Sequence, residues 1–221
     1  MKIVLHVIAA AVIFLLALFA GKAIPSEFRA AHVWVPQVVT KIVLVALSLA
    51  AMTMSGRPWS DFGFRKPNGS SKVAILATFG LGALATIVIL ALKLQGLAGV
   101  MKGYTFPQIV LCIWIWSSVT EEIFTRGWFQ SSIAPHTLRQ NAILLSGAIF
   151  SAMHASLFFS RVEPASAGLI MLFTLIVGLI AATLRAKRDS IYPAIWAHIA
   201  FNVGGLLGGI IATIAGFGPK R

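Results

Sequence analysis

The sequence predicts an all-α polytopic membrane protein, a bundle of about seven transmembrane helices. Hydrophobic residues fill 58% of the 221 positions and charged residues only 11%, with a mean hydropathy of +0.91, far from the balance of a soluble domain of this size. The apolar residues fall into blocks of about 18 to 25, long enough for helices crossing a hydrocarbon core of roughly 30 Å. A helix also satisfies its backbone hydrogen bonds within itself, which lipid demands. No soluble domain of useful size remains outside the blocks, so the chain reads as a single transmembrane domain, 1–221.

Apolar runs bounded by charge, Gly and Pro place spans at 3–20, 38–55, 72–92, 107–127, 141–159, 165–184 and 191–214. The first has an apolar stretch long for a signal peptide and no small-x-small cleavage site after it, so a retained helix is expected. After the second comes "SGRPWSDFGFRKPNGSSK", whose Gly, Pro, Ser and basic residues mark a surface connection, and after the sixth comes another, "LRAKRDSIYP". The fourth span ends in three charged residues, and the fifth and seventh contain histidine. "GGLLGG" in the seventh reads as a close-packing helix face.

A formal charge of +12 invites a nucleic-acid reading, but Lys and Arg lie singly or in pairs between apolar blocks rather than on one basic face. Contacts with anionic lipid headgroups explain them, and no nucleic-acid partner is expected. With the N-terminus cytoplasmic, one side holds nine basic residues (Lys2, Arg57, Arg65, Lys66, Lys72, Arg139, Arg185, Lys187, Arg188) and the other seven (Lys22, Arg29, Lys93, Lys102, Arg161, Lys220, Arg221). Lys41 and Arg126 fall within spans and are left out. The balance favours an N-in orientation. Cys112, the single cysteine, excludes an intrachain disulfide and reads as a packed thiol.

The informative residues are the polar ones inside the spans. Glu121, Glu122 and Arg126 end the fourth, His154 lies in the fifth, and His198 and Asn202 lie in the seventh. A charged group at a membrane helix centre costs about 2.5 to 3.5 kcal/mol on insertion scales, so these groups are expected to face one wet interior cavity. Glu122 and Arg126 are four apart, acid first, which favours an intrahelical ion pair. Glu121 is turned about 100° away and is free to point elsewhere. His198 and Asn202 share a face at the same spacing, as do Phe150 and His154. A carboxylate and an imidazole across a cavity can deprotonate a water, and an imidazole beside an amide can steady an oxyanion. Together these are the parts of a peptide-bond hydrolase.

"EEIFTR" is EExxxR, "FSAMH" is FxxxH and "HIAFN" is HxxxN. In that order and on separate helices, they resemble the CPBP family of intramembrane endopeptidases, which includes type II CAAX prenyl proteases and bacteriocin-processing or self-immunity proteins. The resemblance covers roughly residues 105–205, read as the catalytic core. It implies that Glu121 with His154 activates the water, that His198 and Asn202 stabilise the oxyanion, and that Glu122, Arg126 and Phe150 support the site. It further implies a membrane-associated peptide or protein substrate and, by size, the cytoplasmic membrane of a prokaryote. Thr125 stands where many members carry an aromatic residue, which touches local packing and leaves the chemistry intact.

Other readings compete. Both acids pairing with Arg126 would make the cluster a helix tie, and a lone histidine in a bundle is more often an interhelical hydrogen-bond partner than a catalyst. Glu121, His154 and His198 are also a zinc donor set by type, although they come from three helices with no HExxH pair, so the cofactor expectation is none or zinc. A non-catalytic adaptor or immunity protein on the same scaffold, or a proton-coupled transporter, would use the same groups. Ser117, Ser118 and Thr120 sit in no GxSxG setting and are assigned to hydrogen bonding between helices. His6, His32 and His136 are assigned no role. The tryptophans read as interfacial anchors or lipid-facing bulk, with Trp114 and Trp196 placed to line a groove.

Overall fold

The computed structural model describes residues 1–94, 103–159 and 162–217. Nearly every apolar block of the sequence is a helix there. These are α1 (Lys2–Lys22), α3 (Val35–Met54), α4 (Lys72–Ala91), α6 (Arg139–Ala152), α7 (Pro164–Arg188) and α8 (Tyr192–Ile214). Counting α6 together with its 3₁₀ extension Met153–Phe159, six helices among the described residues are long and apolar enough to cross a membrane. The remaining expected span, 107–127, lies in α5, a continuous helical run over 106–133 that alternates α and π turns. A short α2 (Ser26–Ala31), with no buried residue, joins α1 to α3.

Local chemistry explains the ends. The Thr105 side chain and the Gln108 side chain form a reciprocal capping box that starts α5. Pro164 opens α7, where its missing N–H is no loss. Asp189 ends α7 in a left-handed conformation, φ 53°, which a short polar side chain tolerates.

The helices pack as pairs, α1 with α3, α6 with α7, and α4 with α8, while α5 threads between α3, α6 and α8. The α4–α8 pair follows the small-residue rule for membrane helices, in which missing side chains let two backbones meet. A Cβ at Gly204 would strike the carbonyl of Phe79, and one at Gly208 that of Ala83. The GGLLGG tract is thus a packing face, as its composition predicts.

The loop after α3 is more than a surface connection. Phe62 in its 3₁₀ turn is 1% exposed, and the backbone is stitched to the α7–α8 turn by Ile191 N–H to Gly63 O at 3.0 Å and Asn68 N–H to Arg188 O at 2.9 Å. Gly63, at φ 87°, also lies against the Arg185 guanidinium where a side chain would not fit. Arg185 donates to Asp61 O at 2.8 Å and to Ser131 Oγ at 3.1 Å. This latch closes the end of the bundle that holds the 55–71, 134–138 and 189–191 connections.

Two expectations about single residues are corrected. Trp128 is 5% exposed and stacks on Phe124 with ring centroids 5.6 Å apart, so it belongs to the core between α5 and α3 rather than to the lipid face. Cys112 is only half-buried on α5.

Candidate active site

Glu121 and Glu122 sit on the short α stretch Ser118–Glu122, between the π stretches Ile109–Ser117 and Ile123–Gln130. Stretches with i→i+5 hydrogen bonds are rare and concentrate at functional sites. Both carboxylates are buried, and adjacent positions send them in different directions, as helical spacing predicts.

Glu122 turns inward to Arg126 Nη1 at 3.1 Å. Arg126 is fully buried, donates through Nη2 to Gly178 O at 2.6 Å, and lies over the Phe150 ring at 4.6 Å. Thr125 accepts a 2.6 Å hydrogen bond from Arg126 Nη1 and donates one of 2.6 Å to Glu121 O. The departure from the family pattern at this position therefore supplies hydrogen bonds to the site, beyond packing.

Glu121 turns the other way, to α3. Its Oε1 accepts from the Lys41 ammonium and, at 3.3 Å, from Ser117 Oγ, which itself accepts from Gln37 Nε2 at 3.0 Å. Its Oε2 faces His198 Nε2 at 3.9 Å. The reading in which both acids pair with Arg126 does not describe this arrangement.

His198 stands between the two acids. Its Nδ1 donates to Glu122 Oε1 at 3.0 Å, and because a carboxylate only accepts, Nδ1 carries the hydrogen. One turn on, Asn202 donates through Nδ2 to Ser118 Oγ at 3.0 Å, a hydrogen bond between α8 and α5. Ser117 and Ser118 thus bind between helices, whereas Thr120 bonds its own helix at Trp116 O.

His154 lies in the 3₁₀ turn after α6. Its Nδ1 donates to Phe150 O at 3.0 Å, which fixes the tautomer and leaves Nε2 with a free lone pair while the ring is neutral. Phe150 packs edge-on against both imidazoles, with centroids 5.2 Å from His154 and 5.1 Å from His198.

The depths of Glu121 and His154 agree for a reason the apolar pattern hides. A helix end near 127 would place Glu121 about 10 Å from the membrane side, against about 20 Å for His154. α5 instead runs on to Ile133, which puts Glu121 twelve residues and about 18 Å from its end at 1.5 Å per residue. Polar residues such as Gln130 and Ser131 are buried in that extension, so hydropathy alone ended the span too early.

His154, His198 and Asn202 line a single cavity of about 650 Å³ whose remaining walls come from α4, α5, α7 and α8 and are mostly apolar, with Thr86, Thr174 and Thr213 among them. Trp114 is on that wall, while Trp196 points outward at 60% exposure. Glu121 is behind His198 rather than on the wall, drawn toward α3 by Lys41. Sequence reasoning missed Lys41 and Gln37. The signal was present, since an ammonium in the middle of an apolar span requires a partner.

Zinc does not fit the side chains as placed. Among the described residues no three His, Cys, Asp or Glu side chains are grouped to hold a metal ion, and the Lys41 ammonium occupies Glu121 Oε1.

Residues 103–204 match the family model described as Type II CAAX prenyl endopeptidase Rce1-like. This segment is Rce1-like. It contains Glu121, Glu122, Arg126, Phe150, His154, His198 and Asn202, and the likeness to type II CAAX prenyl endopeptidases is a likeness of this segment. Six apolar helices and the Rce1-like segment together make it an integral membrane protein. Lys41 and Gln37 lie outside the segment. No curated protein and no solved structure gave a match.

Proposed function

We propose that the protein is an intramembrane endopeptidase that hydrolyses a peptide bond in a membrane-associated peptide or protein, in the cytoplasmic membrane of a prokaryote. The observation that carries this reading is the opening of His154, His198 and Asn202 onto one apolar cavity with Glu121 directly behind His198. The substrate chain occupies the cavity with its scissile carbonyl at the polar end.

A water there gives its proton to the base formed by Glu121 and the free Nε2 of His154, and its oxygen bonds to the carbonyl carbon. The oxyanion that results takes hydrogen bonds from the second Nδ2 hydrogen of Asn202 and from His198. Because His198 Nδ1–H is committed to Glu122, donation through Nε2 requires the imidazolium. The proton then passes to the leaving nitrogen as the C–N bond breaks, giving a carboxylate and an amine. An apolar cavity excludes bulk water and strengthens each of these interactions.

The test is cleavage, in detergent micelles, of internally quenched peptides ending in a farnesylated CAAX sequence and of their unprenylated counterparts. Wild-type protein is expected to cut at least one of the two, and Glu121→Ala neither. Full activity of Glu121→Ala, or intact peptides with wild type, contradicts the reading.

A further inference from the structure

The site described above has a component outside the Rce1-like segment. Lys41, 7% exposed in α3, directs its ammonium to Glu121 Oε1. Gln37, one turn earlier, holds Ser117 Oγ at 3.0 Å, and Ser117 hydrogen-bonds the same Oε1 at 3.3 Å. The four residues form two i,i+4 pairs, 37 with 41 on α3 and 117 with 121 on α5, which face each other across the helix interface. Two donors thus converge on one carboxylate oxygen, while the other faces His198 Nε2 at 3.9 Å. The buried charges balance as well, Lys41 and Arg126 against Glu121 and Glu122.

We propose that Lys41 is a positioning residue for the hydrolysis: its ammonium, with Ser117, holds Oε1 of Glu121 so that Oε2 alone is presented to His198 and the reacting water. This rests on the endopeptidase reading. A lysine suits the task because its ammonium is a compact point charge that engages a single oxygen. An arginine carries the same charge on a planar fork matched to both oxygens of a carboxylate.

That difference supplies the test. Lys41→Arg retains the ion pair, so its melting temperature in detergent is expected to stay within a few degrees of wild type. Its guanidinium claims Oε2, and kcat on the quenched peptide is expected to fall by about 10²-fold, the scale of a 1 Å misplacement, with KM within twofold. A role limited to tying α3 to α5 would leave kcat unchanged in this variant. Ser117→Ala removes the second donor without altering charge and is expected to lower kcat about tenfold or more at constant KM, in line with one hydrogen bond to a charged group. It decides the matter if Lys41→Arg does not fold. Folded variants with kcat within twofold of wild type overturn the proposal.

Glu121→Gln runs alongside. If it is inactive while the Lys41 and Ser117 variants keep full kcat, the positioning role alone falls. If Glu121→Gln is fully active, or wild type leaves the peptide intact, the endopeptidase reading falls and takes this inference with it.

Discussion

His198 and Glu122 are joined by a 3.0 Å hydrogen bond from Nδ1 to Oε1, linking α8 to α5. The same oxygen holds Arg126 at 3.1 Å, so Glu122 orients an imidazole and neutralises a fully buried guanidinium at once. Removing one partner of a buried ion pair strands the other. Glu122→Ala is therefore expected to cost about 3 to 5 kcal/mol, the usual scale for an uncompensated buried charge. Glu122→Ala/Arg126→Met, which removes both charges, should recover much of that. Thermal unfolding in detergent measures both, and a single variant as stable as wild type would contradict the pairing.

His154 separates a structural from a chemical task within one ring. Nδ1 holds Phe150 O at 3.0 Å, and Nε2 is the nitrogen left for proton transfer. Asparagine places an amide N–H near the position of Nδ1 and has no basic nitrogen. His154→Asn is expected to keep its melting temperature within about 2 °C, since the hydrogen bond to Phe150 is retained, and to lose about 10² to 10⁴ in kcat, the range of general-base catalysis. Stopped assays on quenched peptide read the second quantity. Wild-type turnover in this variant would remove His154 from the mechanism.

Much of this site was legible before any coordinates. Spacing alone separates Glu122, paired with Arg126, from Glu121; His154, His198 and Asn202 do share one cavity, whereas Glu121 stands behind His198 instead of on its wall. Three things were not legible. The burial of Gln130 and Ser131 extends α5 beyond the apolar run, because Gln130 Nε2 and Ser131 Oγ donate to Ala182 O and Arg126 O rather than to water. Hydropathy has no access to such partners. Lys41 reads only as a charge within a span, for its partner is eighty positions away and only packing of α3 on α5 identifies it. The loop after α3 is a surface connection, as its Gly, Pro and Ser predict, and what composition does not show is its tie to α7 through Arg185, which donates to Asp61 O.

The cavity makes a prediction about binding. Gly209 lies on its wall, and a Cβ there would meet only Thr86 Cγ2 at 3.8 Å, ordinary contact. Phenylalanine at this position can therefore grow into the cavity without disturbing the α4–α8 contact. Gly209→Phe is expected to raise KM for a quenched peptide by about tenfold or more, since contacts in an apolar pocket are worth about 1 to 3 kcal/mol per group gained or lost. The catalytic groups are not touched, so kcat should stay within about threefold. An unchanged KM would mean that the substrate does not use this part of the cavity.

Gly204 and Gly80 test whether close backbone approach sets the geometry of the site. Gly204 is buried against Phe79, with the backbone of α4 where a Cβ would stand, whereas Gly80 has nothing within 4 Å of that position. A methyl at Gly204 must push α8 away from α4, and overpacking of this kind costs about 1 to 3 kcal/mol. α8 also carries His198 and Asn202, so the shift lengthens the 3.0 Å hydrogen bond from Asn202 to Ser118. Gly204→Ala should thus lower both the melting temperature and kcat. In Gly80→Ala neither collision nor shift arises, and helix propensity favours alanine by about 1 kcal/mol. That variant should be as stable as wild type or more so, with kcat unchanged. Equal behaviour of the two alanine variants would show that the α4–α8 separation does not control the catalytic geometry.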